Sequence, residues 1–137
     1  MGLYNNLKIS RALSPVAAGT GNTPYVSQIL DTQNYASHML AIAIGVNTDV
    51  NATFTVLLEE GDTATLTDKA AVNDTDMVGT EALASFTYND DNETRKLQYI
   101  GHHRYIRATI TPAGNDAGNI YMAAVWIQGN GRKSPQS

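Results

Sequence analysis

The chain has 137 residues, which is the size of one domain and enough to bury a core without disulfides or metals. Hydrophobic residues make up 42% and charged residues 16%, against about 25% charged in a typical soluble domain. The net charge of −4 argues against sequence-independent nucleic-acid binding, which depends on clustered Lys and Arg. The absence of cysteine excludes disulfides, zinc–thiolate sites and thiol nucleophiles. We predict a single domain over residues 1–137 that does not bind nucleic acid.

The N-terminal ten residues, MGLYNNLKIS, contain no apolar run behind a basic start, so we predict no secretory signal. The most apolar stretch, residues 39–46, is far shorter than the roughly 20 residues that span a bilayer as a helix. We therefore predict a protein without a membrane partner.

Alternation of apolar and polar residues predicts strands, and helical periodicity is almost absent. The clearest segments are residues 37–46, 52–60, 105–111 and 119–129, and shorter candidates are 6–12, 25–30, 84–88 and 95–100. Residues 119–129 are apolar on both faces, which predicts a central strand or a strand at an interface. Residues 61–83 lack alternation and predict a crossover loop that carries a short helical turn.

The alternation also predicts which side chains face the core. These are Leu40, Ile42, Ile44, Val46, Phe54, Val56, Leu58, Ile106, Ala108 and Ile110. Opposite the first four lie small residues, Ala41 and Ala43, which predict close packing on that face too. Pro112 cannot donate in a sheet, so the strand from residue 105 is predicted to end near Thr111. Residues 111–119, TPAGNDAGN, then predict a hairpin loop to the next strand.

About eight strands separated by turn signals predict an all-β fold, a jelly-roll-like β-sandwich with flexible N- and C-terminal ends. Residues 129–137 predict a flexible tail, and residues 1–15 an N-terminal arm or an edge strand. Both ends of this acidic chain carry basic residues, which suits ends that reach onto an acidic neighbour. The candidate contact residues are therefore Lys8, Arg11, Arg132 and Lys133.

The stretch QYIGHHRYIRATITPAG, residues 98–114, holds two of the three histidines. Neighbouring residues of a strand point to opposite faces, so His102 and His103 do not predict a shared metal ion, and only His38 remains as a third histidine. The acidic clusters at 73–76 and 89–93 do not match a calcium-binding loop, and no nucleophile or phosphate-binding motif occurs. We predict no enzymatic activity, metal or cofactor, with a β-sandwich hydrolase or metal enzyme using His102 or His103 as the rival hypothesis.

Four segments occur in an order typical of one family. They are TFTVLLEEGD (53–62), DMVGTEA (76–82), LQYIGHHRYIRATITPAGNDAGN (97–119) and AAVWIQGNGRKSP (123–135). From about residue 37 onward the chain resembles the cement (decoration) proteins of tailed bacteriophages, those of short-tailed Bordetella phages in particular. The most specific part is Y-I-G-x-x-R-Y-I-R-A at residues 99–108.

The resemblance implies a jelly roll that binds the outer surface of an icosahedral phage head. It implies a homodimer that bridges subunits of the major capsid protein, without catalysis. Such a protein is made in the bacterial cytoplasm and ends on the virion. A carbohydrate-binding or host-attachment module on the virion is the alternative function.

Overall fold

A computed structural model describes residues 3–131, which form eleven strands in two antiparallel sheets. The strands are β1 (Leu7–Gly19), β2 (Tyr25–Val26), β3 (Leu30–Asp31), β4 (Ser37–Asn47), β5 (Thr53–Gly61), β6 (Ala70–Ala71), β7 (Met77–Val78), β8 (Phe86–Thr87), β9 (Thr94–Tyr99), β10 (Tyr105–Ala113) and β11 (Ile120–Gly129). A single helical turn, α1, spans Glu81–Ala84, and 3-10 turns span Asp74–Asp76 and Tyr88–Asp90.

The order of the strands is that of a jelly roll. Sheet A has the order β1-β11-β4-β9-β7, and sheet B has the order β2-β10-β5-β6, with β3 also on β10 and β8 also on β5. When β2 with β3, and β6 with β8, each count as one position, and the two-residue edge strand β7 is left out, the two sheets hold chain positions 1-8-3-6 and 2-7-4-5. This arrangement of eight positions in two sheets is the jelly roll. The predicted all-β, jelly-roll-like sandwich is confirmed.

The core lies between the sheets and follows the predicted alternation. Phe54, Val56 and Leu58 of β5 are each 1% exposed, whereas the threonines between and beside them face solvent. The same holds for the alternate residues from Ile106 to Ile110 of β10. The rings of Phe54 and Phe86 stack with centroids 4.9 Å apart, which joins β5 to β8.

The end of β4 departs from the prediction. Val46 was expected in the core with Ile44, but it is 44% exposed and Asn47 is buried instead. The register explains this, because Met122 pairs with Ile44 while Ile120 pairs with Asn47. Three steps along β4 match two steps along β11, so a β-bulge at residues 45–46 reverses the direction of the following side chains.

The prediction that β10 ends near Thr111 is wrong, since the strand continues to Ala113 and Pro112 pairs with Phe54. Ala108 donates its amide to Ser27 on the side away from β5. Backbone direction repeats every two residues, so the nitrogen of Pro112 also faces away from β5. On that side the pairing of β10 with β2 reaches only as far as Ile110, which pairs with Tyr25, and does not extend to Pro112. Proline therefore costs the ladder no hydrogen bond.

The segment 111–119 is not a hairpin loop. β10 lies in sheet B and β11 in sheet A, so residues 114–119 carry the chain from one sheet to the other. Asp49 fixes this crossover: its carboxylate accepts hydrogen bonds from the amides of Ala117 at 3.0 Å and Asn51 at 2.9 Å. A side chain at Gly118 would meet the Asp49 backbone nitrogen at 2.5 Å, so only glycine permits this approach.

The segment 61–83 contains the predicted helical turn, α1, and two short strands, β6 and β7, that alternation did not reveal. Thr80 caps α1 by accepting from the amide of Leu83, and Glu81 accepts from the amide of Leu58 in β5. Among residues 3–131 no helix has the length and hydropathy to cross a membrane.

Both ends were predicted to be flexible. At the N-terminal end, residues 7–15 belong to β1, which pairs with β11 at the margin of sheet A, so the edge strand is the alternative that these residues adopt. At the C-terminal end, β11 runs to Gly129. The predicted tail beyond Gly131 lies outside the described residues.

The bulge in β4 can be tested by comparing two neighbouring aliphatic residues. Ile44→Ala should lower the free energy of unfolding by about 2–5 kcal/mol, because it leaves a cavity in the core. Val46→Ala should change it by less than about 0.5 kcal/mol, because Val46 faces solvent. Urea unfolding of both variants measures the difference, and equal losses would refute the bulge.

The role of Asp49 predicts a pH-dependent stability. The hydrogen bonds from Ala117 and then Asn51 hold the pKa of Asp49 below its usual value. Its carboxylate therefore stabilises the fold above the unfolded pKa of about 3.9, and this contribution is lost as the pH falls through the lower folded pKa. Asp49→Asn should be less stable than the wild type at pH 7, and the gap should shrink at pH 3.

Urea midpoints at the two pH values provide the measurement. Asp74→Asn, in an exposed 3-10 turn, is the control and should show no such gap. A gap for Asp49→Asn that stayed constant with pH would contradict the assigned role.

Candidate interaction surface

The outward side chains of sheet A form rows that cross the strands. One row runs from Ile9 through Ile127, Met39 and Gln98 to Val78, and the next runs from Arg11 through Val125 and Ala41 to Lys96. We call this surface the A face. Its members are Ile9, Arg11, Met39, Ala41, Ala43, Gly45, Val78, Thr94, Lys96, Gln98, Tyr121, Ala123, Val125 and Ile127.

The sequence produces the A face because β4 and β11 are apolar on both sides. Their inward residues fill the core, and their outward residues are mostly alanine and other aliphatic types. The two strands pack closely at position 45, where a Cβ would lie 3.0 Å from the Cβ of Tyr121. Small side chains at the centre leave the sheet backbone close to the surface, so a partner can approach closely.

Depressions lie along the A face. One, of about 420 Å³, lies at the β9 side and is lined by Met39, Val78, Leu83 and Lys96 among others. Two shallower ones, of about 170 and 330 Å³, lie over the alanines of β4 and β11. Ile9 is 64% exposed and Val78 53% exposed, so large apolar groups of the A face meet solvent. A contiguous exposed apolar surface of this kind marks a site of interaction.

The charges of sheet A are all of one sign. Its five strands contain no Asp or Glu, but they contain Lys8, Arg11, Arg95 and Lys96. Arg95 is neutralised by Asp90 at 3.1 Å and Glu93 at 2.8 Å. Arg11 and Lys96 are exposed and form no ion pair with any residue between 3 and 131. The A face is thus an apolar surface with an uncompensated cation on each side.

Sheet B has a different outer surface. Its central strands present Thr53, Thr55 and Thr111, and the charged groups beside them are paired within the chain. Glu59, which is 9% exposed, lies 3.2 Å from Arg107 and 3.8 Å from Lys69. These charged groups of sheet B form ion pairs within the chain, in contrast to Arg11 and Lys96 of the A face.

The predicted contact residues fall in different places. Arg11 lies on the A face, and Lys8 lies on the same strand with its Nζ 5.9 Å from the centroid of the Tyr35 ring. Arg132 and Lys133 lie outside the described residues. Sequence reasoning missed Lys96. Its alternation with Leu97 is visible in the sequence, but its position in the same row as Arg11 requires the pairing of four strands.

The two adjacent histidines lie in the connection between β9 and β10 rather than in a strand. His102 is exposed. His103 places its Nδ1 3.1 Å from Asp62 and its Nε2 3.7 Å from Glu60. Among residues 3–131 no group of three or more His, Asp or Glu side chains has the arrangement of a metal site.

A buried hydrogen bond connects the sheets beneath His103. The hydroxyl of Tyr99, on β9, donates to Glu60 of β5 at 2.9 Å and accepts from the amide of His103 at 3.0 Å. Burial raises the pKa of Tyr99, so its hydroxyl stays protonated and able to donate. A Cβ at Gly101 would meet the Tyr99 hydroxyl at 2.5 Å, so the close approach of the β9–β10 connection to Tyr99 depends on glycine. These contacts give Tyr99, Glu60 and His103 a structural role.

A carbohydrate-binding face needs several exposed aromatic side chains near one another. In the part of the chain that the structure describes, the exposed aromatic residues are Tyr4, Tyr88 and Tyr121. They belong to the turn before β1, the turn after β8 and strand β11. Their separation on three elements does not favour the carbohydrate-binding alternative.

No protein-family model and no curated protein sequence matches the chain. Among solved structures, the chain is similar to one described as the structure of infectious bursal disease virus Gx strain. The TM-score is 0.48 and the sequence identity 12%, and the alignment covers 94% of this chain. It covers 33% of that chain, so the present sequence spans about a third of its structural neighbour. A likeness this remote indicates neither a shared function nor a shared partner.

The structural role of Tyr99 leads to a prediction. Tyr99→Phe removes the donor to Glu60 and leaves a buried carboxylate oxygen without its partner, which should lower the free energy of unfolding by about 1–3 kcal/mol. Tyr121→Phe, on the exposed A face, is the matched control and should have little effect. Urea unfolding at pH 7 measures both, and equal stabilities would show that the bond to Glu60 contributes nothing.

Proposed function

We propose that this protein is a cement, or decoration, protein of a tailed bacteriophage. In this role it binds the outer surface of the icosahedral head and bridges subunits of the major capsid protein. The resemblance from residue 37 onward supports the assignment, and the jelly-roll fold agrees with it. The observation that carries it in the structure is the A face, an exposed apolar surface whose Arg11 and Lys96 form no ion pair among residues 3–131.

The mechanism is distributed binding rather than catalysis. Each copy adds the free energy of its contacts, and the shell repeats this addition many times over. A protein that binds only the assembled shell stabilises that shell by mass action. Homodimers, which the resemblance implies, hold two binding surfaces together and raise the avidity of individually weak contacts. A rigid sandwich suits this task, because little ordering entropy is lost when a preformed surface docks.

The proposal predicts that purified protein binds cement-free expanded heads of the phage that encodes it. Co-sedimentation should show saturable binding, and decorated heads should release their DNA at a higher temperature than bare heads. The gain follows from the contacts that must break before the shell opens. Unexpanded precursor heads, in which the capsid surface differs, form the comparison.

A glycan array separates this proposal from host attachment, the alternative function. Absence of binding to cement-free heads, together with specific glycan binding, would replace the cement assignment with a carbohydrate-binding one.

A further inference from the structure

The A face raises the question of what covers it. Its central rows contain Ile9, Ile127, Met39, Val125 and Ala41, which together form an apolar centre. The Cα atoms of Arg11 and Lys96 stand at opposite ends of one row, about 14 Å apart at three strand spacings of about 4.8 Å. An apolar centre flanked by charged side chains is the usual anatomy of a protein interface, with the charges at its rim.

We propose that the A face docks onto an acidic, apolar-centred surface of a partner protein. This inference rests on the proposed function, under which the partner is the major capsid protein. Carboxylates of the shell would pair with Arg11 and Lys96, and an apolar side chain of the shell would enter the depression between Met39, Val78 and Leu83. The uncompensated cations are the reason for an acidic partner, since opposite charges at a rim steer association and fix register.

A second copy of this chain fits the A face poorly. In a two-fold dimer the same surface meets itself. A two-fold axis along the strands places Arg11 opposite Lys96 of the second copy. An axis along the row places each of these residues opposite its own equivalent. Both arrangements bring like charges together, and no Asp or Glu of sheet A is present to compensate.

The last six residues of the chain fit it no better. Residues 132–137, RKSPQS, carry two further positive charges, and Pro135 is their one apolar residue. A homodimer formed through a surface other than the A face would leave the A face of both copies available to the shell.

Two variants test the two components of the surface. Arg11→Gln with Lys96→Gln removes the rim charges, and Ala43→Gln places a bulky polar group on the apolar centre. Each has a matched control away from the A face. For the charge variant, the control is Val50→Glu with Thr111→Glu, which lowers the net charge by the same two units at exposed positions. For Ala43→Gln, the control is Ala113→Gln, the same substitution at an exposed position of β10.

Affinity for cement-free expanded heads is measured for all variants at low and at physiological salt, and light scattering gives the oligomeric state of each. Both A-face variants should bind about tenfold more weakly than the wild type, and both controls should bind as the wild type does. Wild-type affinity should fall with salt, because salt screens the rim pairs, and the charge variant should show a flatter dependence.

The outcomes separate this inference from the proposed function. Failure of the wild type to bind heads overturns both. Wild-type binding with unchanged affinity in both A-face variants overturns only the docking surface. A dimer that becomes monomeric in the A-face variants, but not in the controls, would assign the A face to self-association and overturn the acidic-partner inference.

Discussion

The pairing of β11 with β4 is the constraint on which the rest of the molecule depends. These two strands form the middle of sheet A, and both are apolar on both sides. Their inward residues, with Trp126 almost fully buried, supply one wall of the core. Their outward residues lie on the other side of the sheet, against which residues 3–131 pack no further sheet. A stable core and an exposed apolar surface thus arise from the same two strands.

The bulge in β4 limits how far the apolar outer surface of sheet A extends along the strand. Beyond Ile44 the register shifts by one residue, so Val46 turns to solvent and Asn47 turns inward. The apolar surface ends where the polar loops around Asp49 begin. One end of the sandwich is therefore held by the hydrogen bonds of the loops around Asp49. The side chains of the A face, in contrast, have few partners among residues 3–131.

The local sequence predicted those features that depend on a single strand. Phe54, Val56 and Leu58 were assigned correctly because alternation within one strand decides their direction. Val46, Pro112 and the connection 111–119 were predicted wrongly, and each depends on the neighbouring strand: on the register with β11, on where β2 stops, and on which sheet receives the chain. The apolar outer side of residues 119–129 was visible in the sequence. The juxtaposition of Arg11 and Lys96 was not, since 85 positions separate them along the chain and only the order of four strands joins them in one row.

Pro112 has a consequence for behaviour at high concentration. The edge of a sheet is a template on which another chain can add a strand, and proteins that crowd together must prevent this. Beyond the part of β10 that pairs with β2 lies Pro112. On the side that faces away from β5, this residue has no amide hydrogen to donate. An incoming strand would find an acceptor but no donor there. The residue that sequence reasoning took for the end of a strand instead removes one backbone donor from that edge of sheet B.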